Sequence, residues 1–129
     1  MRTVEIVKNE WSQFVGEINR TAARRPVRLE VENLELGDQH MARMLPLQGL
    51  DLDLEGQFVE VLVGLASIFS HRIEQPTRFY ARYDEDNDLD CLCIEDASAG
   101  KTLILFERLP KLPGEWGFPE PEEEILAPP

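Results

Sequence analysis

The chain has 129 residues, 43% of them hydrophobic and 29% charged, with a net charge of −12. That length holds one domain whose core needs no disulfide staples, with a tail besides. No apolar run approaches the roughly 20 residues of a membrane span. The acidic balance excludes nucleic acid and anionic membrane as expected partners and favours basic proteins.

The opening MRTVEIVKNEW alternates charged with apolar residues and lacks the apolar stretch of a signal peptide. A cytoplasmic protein is the expectation. Its first segment, 3–7, reads as an edge strand. Asn9 is then placed to cap a helix. Trp11, Phe14, Val15 and Ile18 follow on one helical face. Glu10 in the first turn and Arg20 in the last suit the helix dipole. The pattern predicts a helix over 10–22, with Trp11 and Phe14 as its core anchors. Arg24-Arg25-Pro26 ends it, because a residue before proline leaves the helical region.

From Pro26 to Leu109 the period changes to two. Val27, Leu29 and Val31 alternate with charged residues, and Leu50, Leu52 and Leu54 alternate with Asp51, Asp53 and Glu55. Such patterns bury one face of a strand and wet the other. Strands are predicted at 27–33, 40–45, 50–54, 57–63, 71–74, 77–83, 89–95 and 102–107. A turn falls at 35–38 and a bend or bulge at Pro46-Leu47-Gln48-Gly49. The 65–69 stretch fits either a helical turn or a strand edge. The last two predicted strands form a hairpin around 96–101. Apolar residues on both their faces place them centrally or under the helix. After Leu109 prolines interrupt any regular element and Glu120 and 122–124 add charge. The reading is one α+β domain over 1–109 and an acidic proline-rich tail over 110–129, expected to be mobile or pinned at Trp116 and Phe118. Within the domain, one N-terminal amphipathic helix packs on a bent antiparallel sheet of five to seven strands, which could curl into a small barrel.

Residues 84–90, Asp-Glu-Asp-Asn-Asp-Leu-Asp, form the sharpest local cluster, with Glu95 twelfth from Asp84. A calcium loop of that spacing needs glycine sixth, where Leu89 stands, and helices rather than strands on both sides. The plainer reading is a solvated hairpin loop, so no metal site is assigned. Cys91 and Cys93 share a strand face and cannot easily bridge each other. They read as packed free thiols. The basic group Arg20, Arg24, Arg25 and Arg28 lacks interleaved aromatics and reads as helix termination and ion pairing. His71 beside Ser70 has no nucleophile elbow near it. Ala99-Gly100-Lys101-Thr102 ends like a phosphate loop without the upstream glycine or the following helix. No catalytic residue and no cofactor site are assigned.

The order of several pieces is familiar. Val4-Glu5-Ile6 is followed by Glu10-Trp11 and Phe14, Leu34-Glu35-Leu36-Gly37, and Leu45-Pro46-Leu47-Gln48-Gly49-Leu50. His71 then precedes Gln75-Pro76-Thr77, and a hairpin of Leu92 to Glu95, Gly100 and Thr102 to Phe106 closes the run. Over residues 3–108 the chain resembles a family of small uncharacterised bacterial proteins, classed as a domain of unknown function. That resemblance implies no activity, cofactor or site residue. Cys91 and Cys93 depart from the resemblance.

The functional expectation is a non-enzymatic protein-binding or regulatory module. Asp84, Asp86, Asp88, Trp116 and Phe118 are its candidate partner contacts, and homo-oligomerisation through a sheet edge is a further expectation. An acidic mimic of nucleic acid that blocks a DNA- or RNA-binding protein is the first alternative. A small ligand-binding or hydrolytic protein is the second.

Overall fold

The computed structural model describes residues 1–33 and 37–107. In chain order its elements are β1 (Arg2–Ile6), a 3-10 turn (Lys8–Glu10), α1 (Trp11–Thr21), β2 (Pro26–Asn33), β3 (Gly37–Leu52), β4 (Phe58–Gly64), β5 (Ile68–Glu74), β6 (Pro76–Tyr83), β7 (Leu89–Asp96) and β8 (Lys101–Phe106). The strands form one antiparallel sheet in the order β1-β6-β7-β8-β2-β3-β4-β5.

The expected helix-on-sheet architecture holds, with two corrections. Among the described residues the sheet has eight strands rather than five to seven, and its order ends in β1 and β5, so it does not close into a barrel. The open order follows from β3. The two predicted strands on either side of Pro46-Gly49 are one continuous strand of 16 residues. Its first part pairs with β2 and its last part with β4, with a register shift between Leu47 and Gly49. A bulge bends a strand and increases its twist. The bend was legible in the sequence. Its effect was not: one strand serves two partners, so the sheet continues through β4 to β5. The undecided 65–69 stretch is neither wholly one nor the other: 65–67 form a bend, and Ile68 and Phe69 begin the edge strand β5.

The bent sheet closes over a single core. Val27 and Leu29 of β2, Phe79 of β6, Leu92 and Ile94 of β7 and Ile104 of β8 meet Val59, Val61 and Val63 of β4 in one buried cluster. The predicted alternation holds at Val27, Leu29 and Leu50, weakens at the half-buried Val31 and Leu52, and fails at Leu54, which is 101% exposed because β3 ends at Leu52 and Leu54 falls in the turn that follows. β5 lies across β8, with His71 Nε2 3.2 Å from Thr102 Oγ1.

α1 sits in the bend. Trp11, Val15, Ile18 and Ala22 form its buried stripe. Trp11 stacks on Phe79 with ring centroids 4.5 Å apart and donates its indole N–H to the Ile6 carbonyl at 2.9 Å. Stacking at such separations adds to the area that the rings bury. At the other end of the helix Asn19 bridges to the backbone of β3. Its Oδ1 accepts the Leu50 N–H at 2.8 Å, and its Nδ2 donates to the Leu50 carbonyl at 2.9 Å. The pairing of β2 with β3 stops at Pro26–Pro46, and beyond that point the amide side chain satisfies the Leu50 peptide group. Asn9 is not the helix cap: it lies in the 3-10 turn, and Glu10 occupies the cap position without a side-chain cap bond.

Candidate functional site

The exposed flank of α1 faces a groove. Successive turns of the helix supply one wall through Glu10, Gln13, Phe14, Glu17, Thr21 and Ala22. The opposite side is built where the ends of several strands converge: Ile6 of β1, Tyr83 of β6, Asn87 and Asp88 of the following loop, and Leu89 of β7. Two hollows run along it, about 270 Å³ around Ile6, Gln13 and Phe14 and about 450 Å³ around Ile18, Tyr83 and Leu89. They share Phe14 and Glu17. Ile6, Phe14, Tyr83 and Leu89 are all half-buried and pack against the core cluster. The floor of the groove is thus the outer skin of the core, left open to solvent.

Phe14 corrects the sequence reading. The sequence pairs it with Trp11 as a core anchor, but Trp11 is 2% exposed while Phe14 is half-buried and lines both hollows. The helical period explains the difference. Trp11, Val15, Ile18 and Ala22 form one stripe, and Phe14 stands at its edge, where the stripe turns from the sheet toward water.

Charge is distributed unevenly around the groove. Glu10 and Glu17 stand on the helix wall and Asp88 on the loop wall, with Arg25 at the far end. Arg25 lies flat over the Phe106 ring, 4.6 Å from its centroid. Glu17 is paired with Arg20 at 2.5 Å in an exposed contact, which solvent screens heavily.

The loop wall is a self-capped turn. Asp84 Oδ1 accepts the N–H groups of Asp86 at 2.9 Å and Asp88 at 3.0 Å, and the Asp84 N–H donates to the Asp88 carbonyl at 2.9 Å. Aspartate that bonds the backbone two residues on forms just such turns. Arg2 reaches across from β1, stacked over Tyr83 at 4.6 Å and donating to Asn87 Oδ1 at 2.5 Å. These bonds hold the loop against the groove and place Asp88 on its rim.

Asp84, Asp86 and Asp88, the predicted acidic contacts, do come together, with carboxylate oxygens within 4.8 Å of one another. Glu95, twelfth in the count from Asp84, stands inside β7 opposite Arg78 and next to Lys101 in β8. The frame is a hairpin, not a helix–loop–helix calcium site. Trp116 and Phe118, and with them the predicted 110–129 tail, lie outside the described residues.

The remaining motif residues have structural surroundings. Burial pushes the Cys91 thiol up and the Cys93 thiol up to about 11. Both are then neutral thiols at pH 7, and it is the thiolate that reacts. Burial lowers the pKa of His71, against an opposing pull from Asp96, which favours neutral imidazole between β5 and β8. Arg28 lies between Glu30 and Glu107. Among the described residues no helix is long and apolar enough to cross a membrane.

The groove itself had no signature in the sequence. Phe14 is far in sequence from Tyr83 and Leu89, and only the seating of α1 against the ends of β6 and β7 brings them together. The position of Phe14 at the edge of the helical stripe was the available signal.

A small α+β protein, with one amphipathic helix seated in a bent eight-stranded antiparallel sheet and an acidic-rimmed, apolar-floored groove beside it, is the class this geometry defines. The chain belongs to the family of unknown function DUF5335, whose model matches residues 2–115. The resemblance seen over 3–108 therefore holds. The chain is also similar to an uncharacterized protein of Aquifex aeolicus (strain VF5), 25% identical over 113 residues that cover 88% of this chain and 99% of that protein. No solved structure matches the chain.

Proposed function

We propose that this protein is a non-enzymatic protein-binding module of the bacterial cytoplasm and that the groove along α1 receives its partner. The observation that carries the reading is the groove floor. Ile6, Phe14, Tyr83 and Leu89, four of the six half-buried apolar residues that pack on the core among the described residues, stand around open hollows. An apolar centre ringed by charged groups is the usual anatomy of a protein interface. The walls are a helix and the ends of paired strands, tied down by Trp11, Asn19 and Arg2, and a pre-formed surface loses little freedom on binding.

Site-specific photocrosslinking in the native cell tests this. A photoreactive phenylalanine at Gln13, inside the groove, is expected to trap a discrete protein. The same probe at Asp51, on β3 and outside the groove, is expected to trap none. The trapped protein, once purified, should bind the wild-type chain and lose binding to Phe14→Ser. Equal crosslinking from both positions, or none from Gln13, would overturn the proposal.

A further inference from the structure

We infer that the occupant of the α1 groove is a short basic segment of another protein, carrying two large apolar side chains flanked by Lys or Arg. This rests on the proposed protein-binding reading and names the chemistry of the partner. Two observations carry it. The first is the shape of the floor. The hollows of about 270 and 450 Å³ adjoin at Phe14, and these sizes lie below or near the lower end of small-molecule pockets. Both are hollows open along the helix flank rather than enclosed cavities, a shape that takes successive side chains of a docked segment. About six residues of helix separate their middles, or ~9 Å at the rise of an α-helix. A segment in polyproline II geometry, with about three residues per turn and a rise of about 3.1 Å, spans that distance in about three residues and keeps both side chains on one face. The second is the charge of the walls. Glu10, Glu17 and Asp88 line the two sides, Asp84 and Asp86 stand beside Asp88, and the chain as a whole carries −12. Arg25 is the cation among the described lining residues, with its guanidinium laid on Phe106. The two cations at the margin are already engaged, Arg20 with Glu17 and Arg2 with Asn87 and the Tyr83 ring. That leaves Glu10 and the Asp84, Asp86 and Asp88 group to set the sign of the rim. Such a field speeds the approach of cationic segments and repels acidic ones.

The test titrates the full chain against fluorescent twelve-residue peptides by polarisation. The first peptide has two leucines three residues apart in a lysine-rich background. In the second glutamine replaces each lysine, in the third glutamate does, and in the fourth serine replaces the leucines of the first. The first peptide is expected to bind at least about tenfold tighter than each of the others and to weaken as salt rises. Phe14→Ser should remove that preference. Because Phe14 is half-buried, the exposed double change Glu10→Gln with Glu17→Gln serves as the second variant, and it should narrow the gap between the first and second peptides several-fold. Equal binding of the glutamine or glutamate peptide overturns the charge inference, and equal binding of the serine peptide overturns the role of the apolar floor. Absence of binding by every peptide overturns the inference as well. The protein-binding reading survives any of these results if Gln13 still crosslinks a protein, and falls with the inference if it does not.

Discussion

The groove along α1 and the tip of the β4–β5 hairpin both bring apolar side chains to the surface, by opposite means. In the groove Phe14, Tyr83 and Leu89 are half-buried between two walls. At the tip Leu65, Ile68 and Phe69 are 75%, 50% and 38% exposed on a convex turn. The groove is held by long-range contacts: the Trp11–Phe79 stack, the Asn19 bridge to β3 and the Arg2–Asn87 bond. The tip has one such tie, from Gln48 Nε2 to the Gly64 carbonyl at 2.6 Å, with Gly64 at a φ of +133° and β5 paired on one side only among the described residues. Scattered exposed apolar residues are ordinary on protein surfaces, whereas a concave apolar floor with a charged rim is not. Concavity, more than exposure, distinguishes the candidate site.

The largest effect is expected from breaking the groove wall at its anchor. Trp11→Ala removes the stack on Phe79 and the bond to the Ile6 carbonyl. Loss of a buried aromatic of this size costs about 3–5 kcal/mol. Urea denaturation should show that drop, and peptide binding should fail in parallel, since α1 loses its seat. The tip is broken most directly at Gly64. A Cβ there would stand 2.1 Å from the Ser67 carbonyl oxygen, and the backbone lies in a region that L-residues rarely adopt. Gly64→Ala is expected to cost about 2–3 kcal/mol while leaving groove binding intact in the folded fraction. Loss of binding by folded Gly64→Ala would show that the two regions are coupled through the core.

A smaller effect separates them by pH. His71 ties β5 to β8 through Thr102, and burial holds its pKa below 6.5. The unfolded chain therefore takes up this proton first as the pH falls. The contribution of the neutral imidazole is fully present above pH 6.5 and is lost as the pH drops from there toward the folded value. Melting temperatures between pH 7.5 and 5 should fall more steeply for the wild type than for His71→Gln. An equal slope would remove His71 from the account.

The same contrast explains what could be read in advance. α1 was legible because Trp11, Val15 and Ile18 repeat at helical spacing, and the strands because Val59, Val61 and Val63, or Val27 and Leu29, repeat at two. These are local periodicities fixed by backbone geometry. The acidic turn was legible because aspartate caps its own loop. The open order of the sheet was not, since it depends on one strand changing partners at a bulge. The groove was hidden for a related reason. Tyr83 and Leu89 read as ordinary strand residues until α1 lies beside them, and Phe14 reads as core until the stripe's edge is placed in space.

The smallest effect is the most discriminating. Phe69 is exposed at the start of β5, beyond the buried Ile73 that anchors the strand. Phe69→Lys removes apolar surface that makes little use of the core, so stability should change by no more than about 0.5 kcal/mol. Lysine on an open edge also discourages pairing with another strand. Groove binding of the basic peptide should be unchanged, because the substitution adds positive charge to the hairpin tip rather than to the walls carrying Glu10, Glu17 and Asp88. A matched loss of binding in Phe69→Lys and Phe14→Ser would move the interaction surface from the groove to the sheet edge. Loss in Phe14→Ser alone assigns it to the helix flank, where half-buried side chains and carboxylates stand together.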